Sequence, residues 1–331
     1  MNRLLLSLSL IVFFSCASRD DDITSQSNNN ISKPKGLFSS SFGNESALDN
    51  NQVKGSLIRV TWSDIEHSEG NYDFSIIEQF LVSIKSRNLK WSLGVIAGGD
   101  SPNWLIDSYG VDYFEIMGFD NTLKRIPKIW DTRANEKLAL LAQALANTYK
   151  NDEDLVLVYV PQMTVNGIEG HFNGVSTTEL TNAGFTADRW VESVKETANI
   201  FANAFSNKAI AVEVHDIMDD TSIPNRIMTD LWNNSTLNHR VGAAIWWISG
   251  KTTYQPELID ALTVFQGDIY AQAIGRSDQT ERFKDNDYTS IFSQAQKIGV
   301  RYIELWEYEF VNNTFPAEFE NFNNYTSVAF E

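Results

Sequence analysis

The sequence predicts a single (β/α)8 barrel over residues 36–331, on three observations. Short apolar runs alternate with helix-period segments along this whole stretch, eight such runs occur, and no Gly-x-Gly-x-x-Gly turn or P-loop follows the first of them. Alternation of this kind argues a parallel sheet. Eight strands in one uninterrupted stretch argue a closed barrel over an open doubly wound sheet.

The elements follow in order. GLFSSSFG (36–43) is the first strand and SLIRVTW (56–62) the second. The helix FSIIEQFLVSIKSR (74–87) comes next, with Ile76, Ile77, Phe80, Leu81 and Ile84 on one face. KWSLGVIAGG (90–99) is the third strand, NEKLALLAQALANTYK (135–150) a helix, and DLVLVYVPQM (154–163) the fourth strand. The helix ADRWVESVKETANIFANAF (187–205) leads to a fifth strand, AIAVEVHD (209–216). VGAAIWWIS (241–249), VFQGDIYAQAI (264–274) and VRYIELWEYEF (300–310) complete the set, separated by the helical segments PELIDALTVF and SIFSQAQKIG.

Ahead of the barrel, one Arg precedes an apolar run from Leu4 to Phe14, too short to span a bilayer and of signal-peptide length. Ser15 and Cys16 follow. Residues 1–15 are therefore expected to be a lipoprotein signal peptide, with Cys16 as the lipidated residue and the sole membrane attachment. Cys16 is the only cysteine, so no intrachain disulfide or Cys-based metal site can form. Residues 16–35 are polar and Asn/Ser-rich, the composition of a flexible tether. A net charge of −17 with no basic run weighs against nucleic acid, an anionic membrane surface or a strongly polyanionic ligand. Nine Trp in this chain suit stacking on sugar rings. Nothing in the composition implies a cofactor or fixes an oligomeric state.

In such a barrel chemistry lies at the carboxyl ends of the strands, and alternate strand residues face the axis. On the fourth strand Val156, Val158 and Val160 form the helix-facing set, and the chain leaves through PQMTVNGIEGHFN. There Gly167 and Gly170 bracket Glu169, whose aim glycine backbone conformations can set. On the eighth strand Ile303 and Leu305 face the helices, which turns Tyr302, Glu304 and Trp306 to the axis, with axis-facing Arg59 as a partner for Glu304. On the fifth, Glu213 and His215 share the axis parity. No His-x-x-x-His spacing indicates a zinc site, and no Gly-x-Ser-x-Gly elbow occurs.

The run RVTWSDIEHSEGNYDFSIIEQFL supplies Arg59, Trp62, Glu66, Gly70, Tyr72, Asp73 and Phe74. It resembles the second strand and helix of (β/α)8 glycoside hydrolases of the clan that includes family-42-type β-galactosidases. SLGVIAGGDSPNWL (92–105) resembles the strand and Ser-Pro-x-Trp turn that follow. The resemblance covers about residues 36–310 and makes Glu66 part of the scaffold. As a Bacteroidetes-type surface lipoprotein, with acidic residues after Cys16, the chain is expected to be lipid-anchored in the outer membrane facing outward. The clan carries an acid/base glutamate at the tip of strand four and a nucleophilic glutamate at the tip of strand seven. Here those tips read Pro161-Gln162-Met163-Thr164 and Gln272.

The expected activity is hydrolysis of glycosidic bonds in an oligo- or polysaccharide by two carboxyl groups. Glu169 is expected to be the acid, with a raised pKa, and Glu304 the ionised nucleophile or base, with Glu213 and Asp268 as further acids. The expected substrate-binding set is Arg59, Trp62, Trp104, Gln162, Asn166, His171, His215, Trp246, Trp247, Tyr270, Gln272 and Trp306. Two alternatives stand beside it: a catalytically silent, glycan-binding barrel, and a polysaccharide lyase using Tyr159 or Tyr270.

Overall fold

The protein is described by a computed structural model covering residues 31–40, 43–118 and 121–331. Its centre is a closed barrel in which every neighbouring pair of strands is parallel. In chain order the strands are β1 (Gly36–Ser39), β2 (Val53–Thr61), β3 (Lys90–Ile96), β4 (Leu155–Tyr159), β5 (Ala209–Glu213), β6 (Val241–Ile248), β7 (Ile269–Ala273) and β8 (Val300–Leu305). Seven fall within the runs expected from sequence, and β2 overlaps its run but begins three residues earlier.

Among the described residues seven helices of nine or more residues pack outside: α1 (Ser75–Ser86), α2 (Thr132–Tyr149), α3 (Ala187–Ala204), α4 (Ser222–Asn233), α5 (Pro256–Val264), α6 (Ser290–Ile298) and α7 (Pro316–Ala329). Capping sets several starts, as where Asp131 accepts the Arg133 N–H and Thr186 accepts that of Arg189. After β1 a 3-10 turn, Glu45–Asp49, stands where a helix would complete the repeat. Helix α7 lies against β1 instead, burying Phe319 and Phe322, and the Asn323 side chain accepts the Leu37 N–H.

Four features escape the sequence pattern. An antiparallel hairpin, Tyr113–Met117 with Leu123–Pro127, is inserted between β3 and α2. Helix α4 was not read because Pro224 stands in its first turn, although Ile223, Ile227, Met228 and Leu231 keep a helical period, and α7 because it lies beyond the eighth strand. Val156 joins the barrel-interior cluster instead of the helix-facing set, because the β3–β4 register shifts there: Trp91 pairs with Leu155 and Ser92 with Leu157.

Inside the barrel the lower layers are filled by Phe38, Leu57, Leu157, Ala209, Ala211, Tyr159, Tyr270 and Tyr302, all buried. This is packed core, so open space exists only at the carboxyl ends. At the amino ends Asp268 receives Arg301 and Lys33 together. Arg301 also donates to the Pro34 carbonyl (2.9 Å), and Lys33 to that of His239 (2.7 Å). The chain is thus pinned to the barrel floor just before β1, and Asp268 is a structural anion remote from the mouth.

Replacing Asp268 with Asn should leave Arg301 buried without its anion and cost about 3 kcal/mol of stability. Denaturant titration should show a lower midpoint with an unchanged slope. An unchanged midpoint would mean the clamp contributes nothing.

Candidate active site

The opening run of the resemblance builds a wall of this site without entering it. Trp62 is fully buried and donates its indole N–H to Glu66 (2.7 Å), whose other oxygen accepts the Gly70 N–H (2.8 Å). Trp104 packs edge-on against Trp62 and donates to the Glu66 carbonyl (3.0 Å). Neither indole lines the cavity at the mouth, so their expected sugar contacts are corrected to a scaffold role.

That cavity, about 400 Å³, lies at the carboxyl ends of the strands. It gathers Arg59, Asn166, Glu169, His171, His215, Trp246, Trp247, Gln272 and Trp306, all expected from sequence, together with Asn173, Tyr254, Ile274 and Arg282, which were not. Asn173, Tyr254 and Arg282 lie on loops whose course no strand pattern dictates, and Ile274 directly follows β7. A register shift between Ile245 and Ile248 lets the consecutive Trp246 and Trp247 both reach the wall. Trp247 is otherwise core, its indole bonded to the Val214 carbonyl (3.0 Å), whereas Trp306 is half-buried and keeps more of its ring open.

The loop after β4 returns onto the tip of β5. Gly167 has φ +69°, and a Cβ there would sit 2.5 Å from the Ala97 backbone; at Gly170 a Cβ would come within 3.0 Å of the Glu213 carbonyl. The Gly170 N–H donates to Glu213 Oε2 at 2.6 Å. Gln162, expected at the substrate, is buried and spends its amide N–H groups on the Ile168 and Glu213 carbonyls (2.9 and 2.8 Å), stapling the same junction.

Two Glu-x-His pairs therefore face one another. His171 Nδ1 accepts the Asn173 N–H (3.1 Å), which leaves Nε2 to carry the ring proton and donate it to Glu169 Oε2 (3.2 Å). Asn166 donates to Glu169 Oε1 (3.0 Å). His215 Nδ1 lies 2.8 Å from Glu213 Oε1, and the two imidazole rings are 4.5 Å apart. The repeated Glu-x-His spacing was visible in the sequence as IEGH and VEVH; parity and glycine arguments found its members singly.

Electrostatics separate the carboxyls. Burial pushes Glu169 up, but the hydrogen bonds from His171 and Asn166 prevail and hold it below the usual range, the reverse of the raised pKa expected. Burial, then the charge of Glu169, push Glu213 far above the usual carboxyl range. Burial, then His171, lower His215 to about 3, so its ring is neutral. Glu213 in its acid form can then donate to His215 Nδ1, with the ring proton on Nε2.

Glu304 is fully buried and does not line the cavity. Its oxygens accept from Tyr302 (2.5 Å), Tyr159 (2.9 Å) and Gln272 (2.6 Å), and Arg59 makes no bond to it. Burial raises it to about 7 against those bonds, so the expectation of a permanently ionised nucleophile is corrected: it is a floor residue under Gln272. Tyr159 and Tyr270 are buried phenols pushed well above their usual pKa, which removes both bases of the lyase alternative.

Glu169, His171 and His215 offer a carboxylate oxygen and two ring nitrogens within 4.8 Å of one another, a donor set known for divalent metals. The hydrogen bonds do not suit a metal. Ligation through His171 Nε2 would need the ring proton moved to Nδ1, against the Asn173 N–H. The cluster fits a proton network better.

Because the folded Glu304 carboxyl titrates near 7 against an ordinary 4.5, the folded state binds the extra proton between these values. Stability contributed by this group is complete below about pH 4.5 and falls as pH rises to about 7, by about 3 kcal/mol. Unfolding curves of the wild type and Glu304→Gln across pH 4–8 should differ by this slope. Parallel curves would refute the assignment.

No protein-family model matches the chain, and no curated protein matches it. Solved structures do. The chain is similar to the catalytic domain of β-amylase from Paenibacillus polymyxa, with a TM-score of 0.62 at 11% identity over 91% of this chain and 100% of that one. It is similar to β-galactosidase from Bacillus circulans sp. alkalophilus, with a TM-score of 0.52 at 11% identity over 82% of this chain and 50% of that one, so it spans half of that protein's length. It is also similar to endo-glycoceramidase II from Rhodococcus sp., with a TM-score of 0.51 at 13% identity over 83% and 73%. At these identities the likeness is one of fold: the chain is a (β/α)8 barrel built like these three proteins.

Proposed function

We propose that this protein hydrolyses glycosidic bonds in an oligo- or polysaccharide at the cavity on the carboxyl ends of its strands. The observation that carries the reading is a pair of neighbouring glutamates in opposite states, Glu169 held ionised and Glu213 held protonated behind a neutral His215. Environments that drive two carboxyl groups apart assign base and acid. Three tryptophans on the same wall and the named activities of the barrels it resembles in fold point to sugar as the substrate.

In this mechanism Glu169 faces the anomeric carbon, as nucleophile or as the base that activates water. His215 gives its Nε2 proton to the departing glycosidic oxygen while Nδ1 takes the proton of Glu213. Charge is balanced: Glu213 ends as a carboxylate, and the proton has crossed the ring to the leaving group. Glu304 holds Gln272 and the floor in place.

Glu169→Gln should lower turnover by about 10²–10⁴ on every substrate. Glu213→Gln should slow natural glycans while sparing activated aryl glycosides, whose leaving groups need no proton. Near wild-type rates for both variants on a natural glycan would sink the assignment. One observation favours a second reading, a glycan-binding barrel without turnover: the tips of β4 and β7 lead to Gln162 and Gln272, amides where the resemblance calls for glutamates. New reducing ends on incubation with glycan separate the two.

The protein is further proposed to be a surface lipoprotein anchored through Cys16, which lies outside the described residues. Cys16→Ala should release it from the membrane fraction. Unchanged fractionation would refute the anchor.

A further inference from the structure

In a chain of net charge −17, cations are scarce and carboxylates are plentiful. Arginine side chains are accordingly taken up. Among the described residues six arginines pair with aspartates, and Arg189 and Arg240 donate to backbone carbonyls. Arg59 and Arg282 are the exceptions. Neither guanidinium has a hydrogen bond or ion pair among the described residues, and both line the cavity that holds Glu169.

They reach it from different places. Arg59 is a half-buried, axis-facing residue of β2 with its guanidinium carbon 6.0 Å from the centre of the Trp246 ring. Arg282 is exposed and follows β7, packed so closely on Gly275 that a Cβ there would sit 2.8 Å from its Cδ. The nearby acids are engaged elsewhere. Glu304 accepts from Tyr159, Tyr302 and Gln272, and Glu169 is bonded to His171 and Asn166. Two forked donors thus face one cavity with no carboxylate hydrogen-bonded to either; the Arg59 charge reaches Glu304 only at a distance, beneath the floor. A guanidinium binds a planar or tetrahedral oxyanion through paired N–H groups, and a partly desolvated one costs free energy until it does so.

We infer that the glycan taken by this site carries an anionic substituent, the carboxylate of a uronic acid or a sulfate ester, bound by Arg59 and Arg282. This rests on the reading of the cavity as a glycan site. The negative net charge disfavours long polyanions at a distance, so recognition is local, one charged group set between two arginines beside a tryptophan.

The test is calorimetric binding of short oligosaccharides bearing a single uronate or a single sulfate, against their carboxyl-reduced and desulfated counterparts. The wild type should prefer the charged member of a pair by about tenfold or more, and Arg282→Met should lower that preference about tenfold. Arg59→Met should do the same in protein whose melting temperature matches the wild type; Arg282 is exposed, so its variant keeps the test valid if Arg59→Met does not fold. Preference within the uronate pair alone identifies a carboxylate, within the sulfate pair alone a sulfate ester; both support the inference. Equal affinity for charged and neutral members, or a preference unchanged in Arg282→Met, overturns it. Binding needs no turnover, so failure to release reducing ends sinks the hydrolase reading and leaves this one standing. Hydrolysis of neutral glycans with no charge preference does the opposite.

Discussion

The hydrogen bond from the Gly170 N–H to Glu213 organises this site. It ties the loop after β4 to the tip of β5, sets Glu169 and His171 opposite His215, and fills one oxygen of a fully buried carboxyl. Every other feature of the mouth requires that closure. Gly167 must turn through a left-handed conformation against Ala97, Gly170 must carry no side chain, and Gln162 must spend its amide on the junction. An alanine at Gly170 would meet Gln162 and the Glu213 carbonyl, so the loop would lift and the two Glu-x-His pairs would part.

Once the loop is closed, electrostatics follow from distance and burial. Two carboxylates this close in a poorly solvated space cannot both ionise at little cost, so one keeps its proton. Which one is decided by donors. Glu169 has the His171 Nε2–H and the Asn166 amide and remains partly exposed, whereas Glu213 is wholly buried with backbone N–H groups and a neutral imidazole. The proton therefore rests on Glu213, on the far side of His215 from the cavity.

The barrel was legible because its signal is repeated eight times and each strand buries both faces. Axis parity placed Glu213, His215, Glu304 and Arg59 correctly, since alternation on a strand is a property of backbone geometry alone. Parity could not say how deep a residue sits. Glu304 and Gln272 are register partners on adjacent strands, yet Gln272 meets the cavity and Glu304 lies sealed beneath it. Protonation was not legible either, because it depends on which donors the fold brings to each carboxyl: those that ionise Glu169 come from the turns of its own loop, while those that crowd Glu304 come from β4, β7 and β8. Trp62 and Trp104 were misjudged for a related reason. An aromatic near a strand end looks the same in sequence whether it floors a cavity or braces a turn.

Floor and wall have exchanged tasks relative to the pattern the sequence resembles. The glutamate of β8 supports an amide at the tip of β7, held by two phenols and buried where no substrate reaches it. The carboxyl groups in contact with the mouth, directly or through an imidazole, come from the β4 loop and the tip of β5. A glutamine at position 272 can accept a hydroxyl with its carbonyl while its N–H stays on Glu304. It cannot take up or release a proton near neutral pH. On the proposed reading, proton transfer falls to the side of the cavity where the Glu169–His171 and Glu213–His215 pairs face one another with their rings 4.5 Å apart, and the amide side is left to bind.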